Sequence, residues 1–159
     1  MVKSGKVDLD LQYAEKSEEP PSRDEFQQWV DLALIKDKPA QVSIRIVDEA
    51  ESQSLNHQYR GKDRPTNILS FPMELPEDVS KELDMLMLGD LVICLPVVEN
   101  EARQQGKDLK SHWAHMVIHG MLHLQGYDHI SASDAEAMES LEIKLLQKIN
   151  INNPYLETT

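Results

Sequence analysis

The chain has one cysteine, Cys94, among its 159 residues. That excludes an internal disulfide framework and suits a reducing compartment. Long apolar runs are missing as well. The longest, residues 91–98, is interrupted by Pro96 and falls far short of the roughly 20 residues a membrane-spanning helix needs. The amino terminus, Met1-Val-Lys-Ser-Gly-Lys-Val-Asp, has no uninterrupted apolar segment, so no secretory signal is expected. Positive charge is scarce too. The formal net charge is −12, which speaks against a protein that coats nucleic acid non-specifically but leaves room for a local basic site.

What is present reads as an ordinary soluble domain. A composition of 40% hydrophobic and 28% charged residues excludes collagen-like, low-complexity and wholly disordered classes. The length predicts one domain, able to bury roughly two-thirds of its unfolded surface. Residues 7–13 alternate apolar and polar, the pattern of an amphipathic strand, and a polar turn follows at 15–21. Residues 1–21 form a short first segment ahead of the body of the domain. Ser22 and Glu25 form a capping-box signature ahead of Phe26, Trp29, Val30, Ala33 and Leu34, which predicts a helix over about 23–36. Val42, Ile44 and Ile46 mark a second strand, and Asp48 caps a helix over about 49–59 that ends near Arg60-Gly61. Residues 67–71 read as a strand closed by Pro72, the acidic stretch 73–86 as a mobile loop, and 87–94 as a strand covered on both faces. Three helical patterns follow, at about 96–105, 109–125 and 132–149. The expected class is therefore α+β: one domain with a small mixed four-stranded sheet packed against about five helices.

The stretch His119-Gly-Met-Leu-His123-Leu-Gln-Gly126-Tyr-Asp-His129 is the most informative. Two histidines four apart on a helix project from one face. Gly126 sits where a left-handed residue would reverse the chain and swing His129 back toward them. His-x3-His-x5-His is the spacing with which metzincin proteases hold zinc, and three imidazoles with an open fourth position make a catalytic centre rather than a structural one. The bland alternative, surface or core histidines, is the better reading of an isolated pair but not of this triple. His112 and His115 fall within an arc of about 80° of the same stripe; either is a ligand or a supporting partner, with structural support as the default. His57 reads as a solvated helix residue.

Zinc peptidases carry a glutamate after the first histidine as general base; this chain has Gly120. Peptide hydrolysis by that route is therefore not expected. An all-imidazole ligand set leaves the dication its full charge, which suits an anionic phosphodiester. Positive charge concentrates in Arg60, Lys62 and Arg64, set against Asp63. The segment is either a solvated loop or a phosphate clamp, and proximity to the histidines decides between them.

These residues resemble a known family. The motif H-G-x-L-H-L-x-G-Y-D-H, with Tyr59 to Asn67, Leu69-Ser-Phe-Pro72 and Leu88-Gly-Asp90, is similar to the YbeY endoribonucleases of bacterial ribosomal RNA maturation, over roughly 40–150. The resemblance implies one zinc ion on His119, His123 and His129, a functional arginine at Arg60, and single-strand-specific RNA cleavage. It also implies 16S rRNA 3′-end maturation, rRNA processing, 70S ribosome quality control, a cytoplasmic location, and association with the small ribosomal subunit and its proteins, with no membrane or DNA partner. The base stays open among hydroxide on the metal, His115 as a second catalytic candidate, and the ribose 2′-OH. Asp128 is expected to orient a ligand or cap the next helix, and Asp90, in a buried strand, to satisfy backbone or ligand donors. Two alternatives stand beside this reading: a zinc hydrolase for another substrate, and a ribosome-assembly factor with mainly structural zinc.

Overall fold

Alternation along the strands and 3.6-residue periodicity along the helices fix which faces are buried, and the computed structural model describes residues 7–14, 20–127 and 131–155. In chain order the elements are β1 (Val7–Tyr13), α1 (Arg23–Ala33), β2 (Ala40–Val47), α2 (Glu49–Arg60), β3 (Ile68–Pro72), α3 (Glu77–Glu82), β4 (Leu86–Cys94), α4 (Leu95–Gln105), α5 (Leu109–Leu124) and α6 (Ala132–Gln147). The sheet order is β1-β2-β4-β3, with β1 and β4 parallel to β2 and β3 antiparallel to β4. This is the expected mixed four-stranded sheet in an α+β domain. Among the described residues no helix is long and apolar enough to cross a membrane.

One face of the sheet supplies Val7, Leu9, Val42, Ile44, Ile46, Leu91 and Ile93 to the main core, where they meet Phe26, Trp29 and Val30 of α1 and Trp113, Val117, Ile118 and Met121 of α5. Phe26 stands edge-on to both Trp29 and Trp113, at centroid distances of 5.6 and 5.7 Å, an arrangement that adds to what area burial alone gives. A smaller cluster on the opposite face joins Val47, Leu69, Val92 and Cys94 to Leu55 of α2 and Val97 of α4. The sheet is thus fully layered only at its β3–β4 end.

Helix starts follow their caps. The Ser22/Glu25 box is formed in both directions, Asp48 accepts from the Glu51 backbone N–H, and Gly61 closes α2 at φ +71°. Three expectations need correction. First, α1 stops at Ala33 rather than near 36. The Gln125 side-chain oxygen from the end of α5 accepts the Ile35 backbone N–H at 2.8 Å, while its amide donates to the Ala33 carbonyl at 2.7 Å, so the groups that would continue the helix are taken. Second, the acidic stretch 73–86 contains the short helix α3, making six helices among the described residues; none of its residues is buried, so it left no apolar periodicity to read. Third, Asp90 is exposed on the open part of the sheet's second face. The apolar run around it concealed that β4 is covered on both faces only from Leu91 onward. Most of the polar turn expected at 15–21 lies outside the described residues.

Gly89 is a point of close approach. At φ +128° a Cβ there would fall onto the Phe71 carbonyl oxygen and within 2.8 Å of the Met73 nitrogen, both backbone atoms that cannot step aside. Gly89→Ala is expected to destabilise the fold by at least about 2 kcal/mol, from backbone strain together with the overlap. Denaturant unfolding checks this, and an unchanged midpoint would contradict it.

Candidate metal centre

Helix α5 is buried almost all round, so the polar stripe it carries must find partners inside the protein. His112 and His115 are buried; His119 and His123 are half-buried. The partner comes from α6, whose buried positions Met138, Glu142, Leu145 and Leu146 follow helical spacing. Glu142 occupies the place of an apolar residue and is fully buried. Its Oε1 lies 2.6 Å from His115 Nε2 and 2.8 Å from the Tyr155 hydroxyl, and its two oxygens lie 3.3 and 3.4 Å from His119 Nδ1.

Burial pushes the Glu142 carboxyl up, but hydrogen bonds from His115 and His119, and the charge they can carry, outweigh it and lower it to about 2. Burial likewise lowers His115, so a neutral His115 donates to an ionised Glu142. The Tyr155 phenol is raised by burial and by the Glu142 carboxylate, which keeps it a donor.

His119 therefore has two different nitrogens. Nδ1 faces Glu142, and Nε2 lies 3.1 Å from Nε2 of His123. The tautomer follows from these partners: an Nδ1–H toward a carboxylate leaves Nε2 with its lone pair outward. A carboxylate behind an imidazole is the usual support of a metal-binding histidine, fixing the ring and raising its basicity. His115, His119 and Glu142 also bring ligand-type atoms within 4.8 Å of one another, a set able to hold a metal ion.

The histidines open onto a cleft of about 890 Å³. His115, Met116, His119 and His123 form one wall, residues 67–72 of β3 and its approach form another, and Arg60, Tyr59 and Tyr155 stand at the sides. Arg60, Lys62 and Arg64 are all exposed, and of the three Arg60 lines the cleft of the histidines. The loop carrying Lys62 and Arg64 is tied down: Ser52 Oγ donates to the Thr66 carbonyl and accepts its N–H, both at 3.0 Å, and Asn56 Nδ2 donates to the Arg64 carbonyl at 2.8 Å. His112 sits apart, its Nε2 3.0 Å from Glu101, which also accepts from Asn67 at the head of β3. His57 is exposed, as expected. Gly126 has the predicted positive φ, at +101°, and Tyr127 N–H returns to the Leu122 carbonyl at 3.0 Å. Asp128 and His129 lie outside the described residues.

Gly120 has a steric reason. A Cβ there would stand 2.7 Å from both Ile68 Cδ1 and Leu91 Cδ2, because α5 lies directly on β3 and β4 at that point. A glutamate in the peptidase position would have to enter the core. Sequence reasoning missed Glu142 and Tyr155. The available signal was a carboxylate at an apolar position of the α6 pattern, hidden among the charges of Glu136, Glu139 and Lys144.

Fold and cleft together define an α+β domain whose imidazole-lined, arginine-flanked site is able to hold a metal ion. A family profile described as "Endoribonuclease YbeY" matches residues 10–150, and the chain belongs to that family of metal-dependent endoribonucleases acting in ribosomal RNA processing. Among solved structures, the solution structure of TM1509 from Thermotoga maritima is similar over 93% of this chain and 99% of its own, at 23% identity and a TM-score of 0.51. At that identity the likeness speaks for the fold.

Glu142→Gln is expected to weaken metal binding about 10- to 100-fold, the usual cost of losing a carboxylate behind a histidine ligand. Competition against a chelator of known affinity measures it, and unchanged affinity in a folded variant would contradict the supporting role.

Proposed function

We propose that the chain is a zinc-dependent endoribonuclease specific for single strands, with the ion held by Nε2 of His119, Nε2 of His123 and by His129. The observation that carries this reading is the 3.1 Å separation of the two Nε2 atoms at the cleft wall. Two ligands on a tetrahedral ion with bonds of 2.0–2.1 Å lie about 3.3 Å apart. The deeper set is the poorer candidate: its His115–Glu142 contact of 2.6 Å has the length of a hydrogen bond between donor and charged acceptor.

A bound zinc ion supplies a Lewis acid for the phosphate and lowers the pKa of a coordinated water toward neutrality. The protein's own groups do the rest. Glu142 holds His119 in one tautomer, and Arg60, at the rim of the same cleft, offers a planar fork of donors to phosphate oxygens as negative charge builds on them. His115 is committed to Glu142, which favours a supporting role over that of general base; water and the ribose 2′-OH remain the nucleophiles to separate. The neutral ligand set and the glycine at 120 favour a phosphodiester over a peptide. A body of net charge −12 repels nucleic acid except where Arg60 and the dication admit it. Family membership supports the finer placement: 16S rRNA 3′-end maturation and 70S quality control in the cytoplasm, alongside the small ribosomal subunit.

Zinc-loaded protein is expected to cleave single-stranded RNA and to spare peptides, duplex RNA and DNA. His123→Ala should lose zinc and some stability together, whereas Arg60→Ala should keep zinc and lose roughly 100-fold or more in kcat. Metal analysis and cleavage assays check both. Chelator-resistant RNA cleavage, or full metal content in His123→Ala, would overturn the assignment.

A further inference from the structure

We infer that Tyr59 is a stacking platform for one nucleobase of the substrate strand, and that the edge of this base is received by Asp90 in a second cleft beside the metal centre. The inference rests on the nuclease reading and names a subsite of it.

Three observations converge. Tyr59 is 59% exposed yet its ring is not loose: it packs edge-on against Phe71 of β3, centroids 5.1 Å apart and planes at 70°. An exposed aromatic ring held in place by a neighbour is what base stacking needs, since little order has to be imposed on binding. Next, Tyr59 and Phe71 are the residues shared by two clefts, the 890 Å³ cleft of the histidines and one of about 500 Å³ on the open sheet face, where Gln12, Ser43, Arg45, Glu51 and Asp90 gather. The pair is therefore the ridge that a strand leaving the metal centre on this side must cross. The smaller volume falls in the range of small-molecule sites and is ample for a base.

The third observation is how charge is sorted across that ridge. The histidine side has Arg60 for phosphate. On the far side Arg45 is paired with Glu51, at 2.7 and 3.2 Å, and touches Gln12 at 3.2 Å, so these two partly exposed charges offset each other and, among the described residues lining that cleft, Asp90 is left as the carboxylate without an ion pair. A phosphate is repelled there. A base edge carrying an exocyclic amine is not, because a carboxylate accepts from it directly, as Asp and Glu do from cytosine N4. The backbone thus stays with Arg60 while the base turns over Tyr59 toward Asp90.

The test uses zinc-loaded full-length protein and 2′-O-methyl oligoribonucleotides, verified to stay intact during the binding measurement, with 2-aminopurine placed at each position in turn. Wild-type protein should quench the reporter at one position. Tyr59→Ala should abolish that quenching and weaken binding roughly 5- to 150-fold, the range of one lost base stack, whereas Tyr59→Phe should retain both. At that position cytosine should bind more tightly than uracil, and Asp90→Ala should remove the difference. Tight RNA binding with quenching unaffected by Tyr59→Ala overturns the subsite and leaves the nuclease reading standing. Failure of wild-type protein to bind RNA overturns both.

Discussion

A carboxylate with no exposed surface has to be answered from inside the protein. Moving such a charge out of water costs several kcal/mol unless donors surround it, and Glu142 is surrounded: His115, His119 and Tyr155 all turn toward it. Much of the site's order follows from this one requirement. His115 spends its donor there. His119 spends Nδ1 there, so its other nitrogen faces His123 and the cleft. Tyr155 spends its hydroxyl there, which brings the segment after α6 to the cleft wall and sets its ring edge-on to His115 at 5.3 Å. The carboxylate needs no contact with substrate to decide where the imidazoles point.

The second constraint is the height of α5 above the sheet. Gly120 lets the helix settle onto Ile68 and Leu91, and Gln125 clamps its far end to the last turn of α1. Helix and β3 thereby become the two walls of one cleft. Close packing also takes the position that a peptidase gives to its general base, so the same contact that builds the cleft removes one chemistry from it. Arg60 lines the same cleft from the end of a helix stopped by Gly61 in the left-handed region.

Much of this was legible in the residues. The boundaries of β1, the caps of α1 and α2, the turn at Gly126 and the histidine stripe of α5 all rest on local rules in which nearby atoms decide. Features set by distant atoms were not legible. The early end of α1 depends on Gln125, some 90 residues away. The exposure of Asp90 depends on how far α2 reaches across the sheet, and an unbroken apolar run gives no sign of that. Glu142 is the clearest case: its role arises only when α6 lies against α5, and in sequence it is one acid among several on a charged helix. The histidine spacing suggested that ligands converge; the carboxylate that orients one of them was invisible until the two helices were seen together.

The proposed metal centre requires His119 to turn Nδ1 to Glu142 and Nε2 to an ion in the cleft. Anomalous diffraction from zinc-loaded crystals tests it most directly. The expected result is a single ion about 2.0–2.1 Å from Nε2 of both His119 and His123, with Glu142 still hydrogen-bonded to Nδ1. An ion bound instead between His115, Glu142 and Nδ1 of His119 would contradict it.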